Sequence, residues 1–199
     1  MRFNRRIVMT GMIVLAGCMT SAPDAGTERA KAMVTRLGGT FELDASGSIV
    51  KVDLHRSAVT DDDLALLGGL GSLRELDLRL TGVSDRGVIH LAGLRRLEML
   101  NLFRTKLTDE GLGSLSGLTA LRTLLIGGTG VTDRGLAHLR AFPHLRKLSV
   151  FDTAVSDGGV PLLGSLPELE ILLIGRSKIS ESGAAELQRR NPRLSFREM

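Results

Sequence analysis

The sequence predicts an α/β solenoid, with parallel strands along a concave face and short helices on the convex face. Three observations predict it. The pattern Leu-x-x-Leu-x-Leu-x-x-Thr returns about every 24 residues, with first leucines at Leu73, Leu97, Leu121, Leu145 and Leu169. Within each copy the apolar spacing changes from alternation to a helical interval. Finally, the apolar side chains of one copy fall short of the entropy of ordering it, so copies must stack to share a core.

The elements follow from columns counted from the first apolar residue of each copy, Ile49 opening the earliest. Column 4 (Val52, Leu76, Leu100, Leu124, Leu148, Leu172) and column 6 (Leu54, Leu78, Leu102, Ile126, Val150, Ile174) alternate as a short strand does, facing the core. Column 11 adds Val59, Val83, Leu107, Val131, Val155 and Ile179. Columns 16, 19 and 22 follow at helical spacing, as in Leu112, Leu115 and Leu118. Each copy is strand, turn, short helix, turn.

Polar columns have structural readings. Column 9 carries a hydroxyl in every copy (Ser57, Thr81, Thr105, Thr129, Thr153, Ser177), which predicts a hydrogen-bonded ladder to neighbouring coils rather than catalytic hydroxyls. Column 12 is Ser or Thr and column 13 is Asp61, Asp85, Asp109, Asp133, Asp157 or Glu181. This is helix-capping chemistry: a hydroxyl for the orphan N–H groups, then an acid at the positive end of the helix. The glycines of column 15 (Gly87, Gly111, Gly135, Gly159, Gly183) predict close approach of helix to sheet.

The units Leu107–Leu112 (Leu-Thr-Asp-Glu-Gly-Leu) and Val131–Leu136 (Val-Thr-Asp-Arg-Gly-Leu) resemble the bacterial leucine-rich repeats of planctomycete type. The approach Leu37-Gly38-Gly39 and the ending Leu187 to Pro192 are similar to that family as well, so the resemblance covers about residues 28–199. It implies a leucine-rich-repeat solenoid shaped as a horseshoe, serving as a binding scaffold. It implies no shared catalytic residues, so none are assigned.

At the N-terminus, Arg2, Arg5 and Arg6 precede a short apolar run, Ile7 to Ala16. The run falls well short of the roughly 20 residues of a membrane span and reads as a signal peptide over 1–17. Leu15-Ala16-Gly17-Cys18 resembles the bacterial lipobox, which implies cleavage before Cys18 and a lipid on its thiol; the alternative is an ordinary secretory leader. Met19 stands where an Asp would imply retention in the inner membrane, so the resemblance favours export to the outer membrane. Residues 18–27 read as a lipidated tether and 28–48 as an N-terminal cap, with a helix from Glu28 to Leu37. Residues 49–193 hold six repeats. The sixth runs one residue long, so that Leu194 opens a C-terminal cap over 194–199.

Composition narrows the function classes. The three leader arginines account for most of the formal charge of +4, leaving +1 for the rest. With no Trp or Tyr, neither charge nor stacking points to nucleic acid. Cys18 is the only cysteine, which excludes an internal disulfide. No cofactor motif is present, and His90, His138 and His144 lack metal-ligand spacing.

Columns 3, 5 and 7 face outward on the strand side. The first two repeats are charged there, with Asp53, His55, Asp77 and Arg79 as neighbours. From the third repeat onward Met99, Phe103, Leu125, Phe151, Ile171 and Leu173 appear where no core requires them. Such a patch predicts a protein- or peptide-binding surface, with Gly127 leaving a gap between the two Phe rings. Two rivals stand beside it. One is a self-associating envelope component. The other is a hydrolase using Asp53, His55 and Asp77 for acid–base work.

Overall fold

The computed structural model describes residues 25–196. Cys18 and the leader lie outside the described residues. A helix over Ala25–Arg36 opens the structure. It begins inside the stretch assigned above to the tether, and it ends where Gly38 takes a positive φ of 73° and lets the chain reverse. Among the described residues eight strands then form one sheet in sequential order: β1 (Thr40–Leu43), β2 (Ile49–Asp53), β3 (Glu75–Asp77), β4 (Met99–Asn101), β5 (Thr123–Leu125), β6 (Lys147–Ser149), β7 (Ile171–Leu173) and β8 (Ser195–Phe196).

Strand β1 runs antiparallel to β2, and every later pair is parallel. The register joins equal columns, as in Leu76↔Leu100 and Leu124↔Leu148. The last pair keeps the same offset, Ile171↔Ser195. Phe196 therefore takes the column-4 place, and the expected extra residue in the sixth copy does not displace the strand register.

Columns 1, 4, 6, 11, 16, 19 and 22 form one continuous core. The exceptions are terminal. Ile174 and Ile179 of the sixth copy stay half-buried, because among the described residues no full seventh coil covers them. On the convex side the helices are short: α-helical over Asp85–Val88, Asp109–Ser114, Val160–Leu163 and Glu181–Arg190, with 3₁₀ turns elsewhere.

Two expectations about the polar columns change. The column-9 hydroxyls do not bridge coils. Thr81, Thr105, Thr129 and Thr153 each donate to the carbonyl three residues back in their own coil, at 2.6 to 2.8 Å. The bridge between coils is built instead from columns 12 and 13. Asp109 accepts the backbone N–H of Thr132 at 2.7 Å and its hydroxyl at 2.6 Å. Asp61 does the same for Ser84, Asp85 for Thr108, Asp133 for Ser156 and Asp157 for Ser180. Ser84, Thr108, Ser156 and Ser180 also each accept an N–H of their own helix, such as Glu110 N–H on Thr108 at 3.4 Å, so the predicted cap is present there; Thr132 accepts Arg134 N–H at 3.3 Å, one residue before its helix begins.

The column-15 glycines serve this bridge rather than the approach of helix to sheet. A Cβ on Gly87, Gly111, Gly135 or Gly183 would run into the carboxylate of the preceding copy's Asp; on Gly159 it would strike Leu136 first. In the first copy no such Asp lies behind, and Asp63 fills the column. It accepts the N–H and hydroxyl of Thr60 and an Arg36 guanidinium at 2.9 Å, tying the N-terminal helix to the repeats.

Column 8 is left-handed in every copy. Arg56, Leu80, Arg104, Asp152 and Arg176 have φ between 53° and 58°, and Gly128 has 67°. The bend lets a column-8 N–H reach the column-7 carbonyl of the next coil, as Arg104 N–H does on Gly127 at 2.8 Å. Five side chains thus occupy a conformation that costs a non-glycine residue about 1–2 kcal/mol.

Candidate binding surface

The strands place columns 3, 5 and 7 on the face opposite the core, as the alternation requires. Phe103 and Phe151 lie there half-buried, outside the interior cluster. Met99, Leu125 and Ile171 are half-buried beside them. Leu173 differs from the expectation: it is 5% exposed, covered on the concave side although it is not part of the interior core. Asn101 and Ser149, also in column 5, are similarly buried. Column 5 is the central row of the sheet face, and side chains from the two flanking rows crowd over it.

The gap expected at Gly127 is closed. The rings of Phe103 and Phe151 tilt toward one another, with centroids 6.4 Å apart. Two strand spacings are about 9.6 Å, so the rings lean inward over the glycine. A Cβ at Gly127 would sit 3.1 Å from the Phe103 ring and 2.8 Å from the Phe151 carbonyl oxygen. Arg104 lies over the Phe103 ring at 5.3 Å and Arg176 over Phe151 at 6.0 Å, and Asp152 pairs with Arg176 at 3.4 Å. Two aromatic rings with cations at their faces thus form one rim of the surface.

The charged residues of the first two copies do come together. Asp53 and Asp77 are register neighbours. Asp53 accepts both the N–H of His55 at 2.9 Å and its ring Nδ1 at 2.7 Å, while Arg79 lies 3.5 Å from Asp77. Burial alone would raise the Asp53 pKa. The hydrogen bonds from His55 and the charges of His55 and Arg79 together outweigh it and hold the carboxyl below its ordinary value.

These bonds reveal a role for column 5. Its polar side chain accepts the N–H of column 7 in four copies: Asp53 for His55, Asp77 for Arg79, Asn101 for Phe103 and, at 3.4 Å, Ser149 for Phe151. Leu125 and Leu173 have no acceptor, and among the described residues no hydrogen bond reaches the N–H of Gly127 or Gly175.

A groove of about 450 Å³ crosses the face diagonally. It enters between Arg56, Arg79 and Leu80, passes Asn101, Phe103 and Leu125, and ends at Lys147 and Leu173. It therefore joins the charged and apolar regions that the sequence presents as separate. Of the residues expected to bind, Phe103, Leu125 and Leu173 line it; Met99, Phe151 and Ile171 lie outside its walls. Arg56 and Leu80 were not expected. Their column turns onto the concave rim only because of its left-handed backbone, and nothing in their residue types signals that.

Comparison with known proteins agrees with this geometry. A leucine-rich-repeat family model matches residues 72–92. The fold is a leucine-rich-repeat solenoid. Among solved structures it is similar to an internalin from Listeria monocytogenes, with a TM-score of 0.54 and 21% identity over 87% of this chain. The chain spans 55% of that internalin's length. No curated protein matches the chain.

Proposed function

We propose that this protein is an exported, lipid-anchored scaffold that holds a protein or peptide segment in its concave groove without catalysing a reaction. The observation that carries this reading is the groove itself: an open trough of about 450 Å³ whose floor is set by Phe103, Leu125 and Leu173, side chains that no core requires. The solenoid fold, shared with an internalin, supports a scaffold role. The anchor rests on Leu15-Ala16-Gly17-Cys18 and the basic, apolar leader before it. Among the described residues no helix is long and apolar enough to cross a membrane.

The hydrolase alternative draws less support. Among the described residues Asp53 is the only side-chain partner of His55, at 2.7 Å, and no hydroxyl or thiol is hydrogen-bonded to the imidazole as a nucleophile would be.

The test is binding by the full chain with Phe103→Asp and Leu125→Asp together. Both side chains lie outside the core, so folding should survive, and capture of partners from the native envelope should fall at least tenfold. Unchanged capture by the folded variant would refute the groove. Cys18→Ala should move the protein from the membrane fraction to the soluble one.

A further inference from the structure

The groove has a charge pattern as well as an apolar floor. His55, Arg56 and Arg79 stand at one end and Lys147 at the other, while among the described residues no carboxylate lines it. Arg79 is occupied by Asp77. Among the described residues Arg56 and Lys147 have no ion-pair or hydrogen-bond partner for their side chains. This is unusual on a surface whose other concave cations are matched: Lys51 sits between Glu42 and Glu75 at 3.2 and 3.3 Å, and Arg176 faces Asp152. Two unmatched cations thus bracket an apolar trough.

The two ends of the trough constrain its occupant. An alkyl chain with a single anionic head can meet only one of the two unmatched cations, whereas a peptide can carry a carboxylate to each.

From these observations we infer that the groove takes an extended acidic peptide, with apolar side chains on Phe103, Leu125 and Leu173 and carboxylates at Arg56 and Lys147. Arg56 belongs to the first copy and Lys147 to the fifth, four strand spacings or about 19 Å apart across the sheet. The diagonal course lengthens this to roughly 24 Å, which an extended chain covers in about seven residues. The segment therefore carries acids near both ends and an apolar centre. This inference rests on the peptide-binding reading above and specifies its ligand.

The experiment uses the full chain and three sets of fluorescent synthetic octapeptides. All share a centre drawn from Leu, Phe, Ile, Val and Met, flanked at both ends by Glu, by Gln or by Lys. Anisotropy at low and high salt reads the affinity. The Glu set should bind roughly fivefold tighter than the Gln set at low salt, as two partly exposed ion pairs allow, and the difference should shrink at 0.5 M salt. Arg56→Glu with Lys147→Glu should turn the preference toward the Lys set. Both side chains are away from the core, and circular dichroism checks that the variant folds.

Equal binding of the Glu and Gln sets would overturn the acidic assignment and leave peptide binding standing. If no set binds, both fall. Dodecanoate that binds alone and displaces the peptides, with the same dependence on Arg56 and Lys147, would assign the groove to an anionic amphiphile instead.

Discussion

Asp109→Ala is the substitution that most directly probes how the coils are joined. Two explanations of the column-13 acid give different magnitudes. If it acts only on the dipole of its own helix, its loss costs about 0.3–1 kcal/mol, and Glu181 in the same column should cost about as much. In the structure Asp109 also accepts two bonds from Thr132 of the next coil, at 2.7 and 2.6 Å. Bonds to a charged acceptor contribute about 1.5–3 kcal/mol each when buried, and this site is half-buried, so we expect about 2–4 kcal/mol in total. Among the described residues no hydroxyl of a following coil donates to Glu181, which should lose only the dipole contribution. With an m-value of about 2 kcal/mol/M, urea midpoints should drop by about 1–2 M for Asp109→Ala and by less than about 0.5 M for Glu181→Ala. Gly135 supplies the internal control, because a Cβ there meets the Asp109 carboxylate. Gly135→Ala should cost about 2 kcal/mol in the native background and less than about 1 kcal/mol beside Asp109→Ala. Equal losses for Asp109 and Glu181, with additive behaviour at Gly135, would refute the bridge.

Other outcomes follow from the same geometry. Arg104 has a φ of 53°, so Arg104→Val should be less stable than Arg104→Gly by about 1–2 kcal/mol in urea titration, because a β-branched residue is least tolerant of that backbone. Acid should weaken the fold. Asp61 and Asp63 feel burial that would raise their pKa, outweighed by hydrogen bonds from Ser84 and Thr60, so both lie below their ordinary value. A depressed folded-state pKa gives stability that is complete above the unfolded value and lost as pH falls through the folded one. Urea midpoints should therefore be flat above about pH 5 and decline below about pH 4, and Asp61→Asn should remove part of that decline.

The sequence alone determined the core of this protein. Every apolar column from Ile49 to Leu172 recurs at a fixed interval, and one interval admits one stacking register, so burial could be assigned residue by residue. It also determined which side of each strand faces away from the core, because alternation has only two outcomes. Phe103 and Phe151 were placed outside the core on that ground, and the structure keeps them there.

Only the tertiary structure decided what the polar and concave residues do. Asp85 and Thr108 are 23 residues apart, and a composition that suits a helix cap equally suits a bridge between coils; contact across the stack selects the second role and keeps the first. Leu80 and Arg56 carry no signal of a left-handed turn, yet the backbone of column 8 swings them to the groove. The burial of Leu173 and the closure over Gly127 depend on how neighbouring strands crowd their side chains. Periodicity reports what each residue shares with its column. The groove is made by the ways the columns differ once they are stacked.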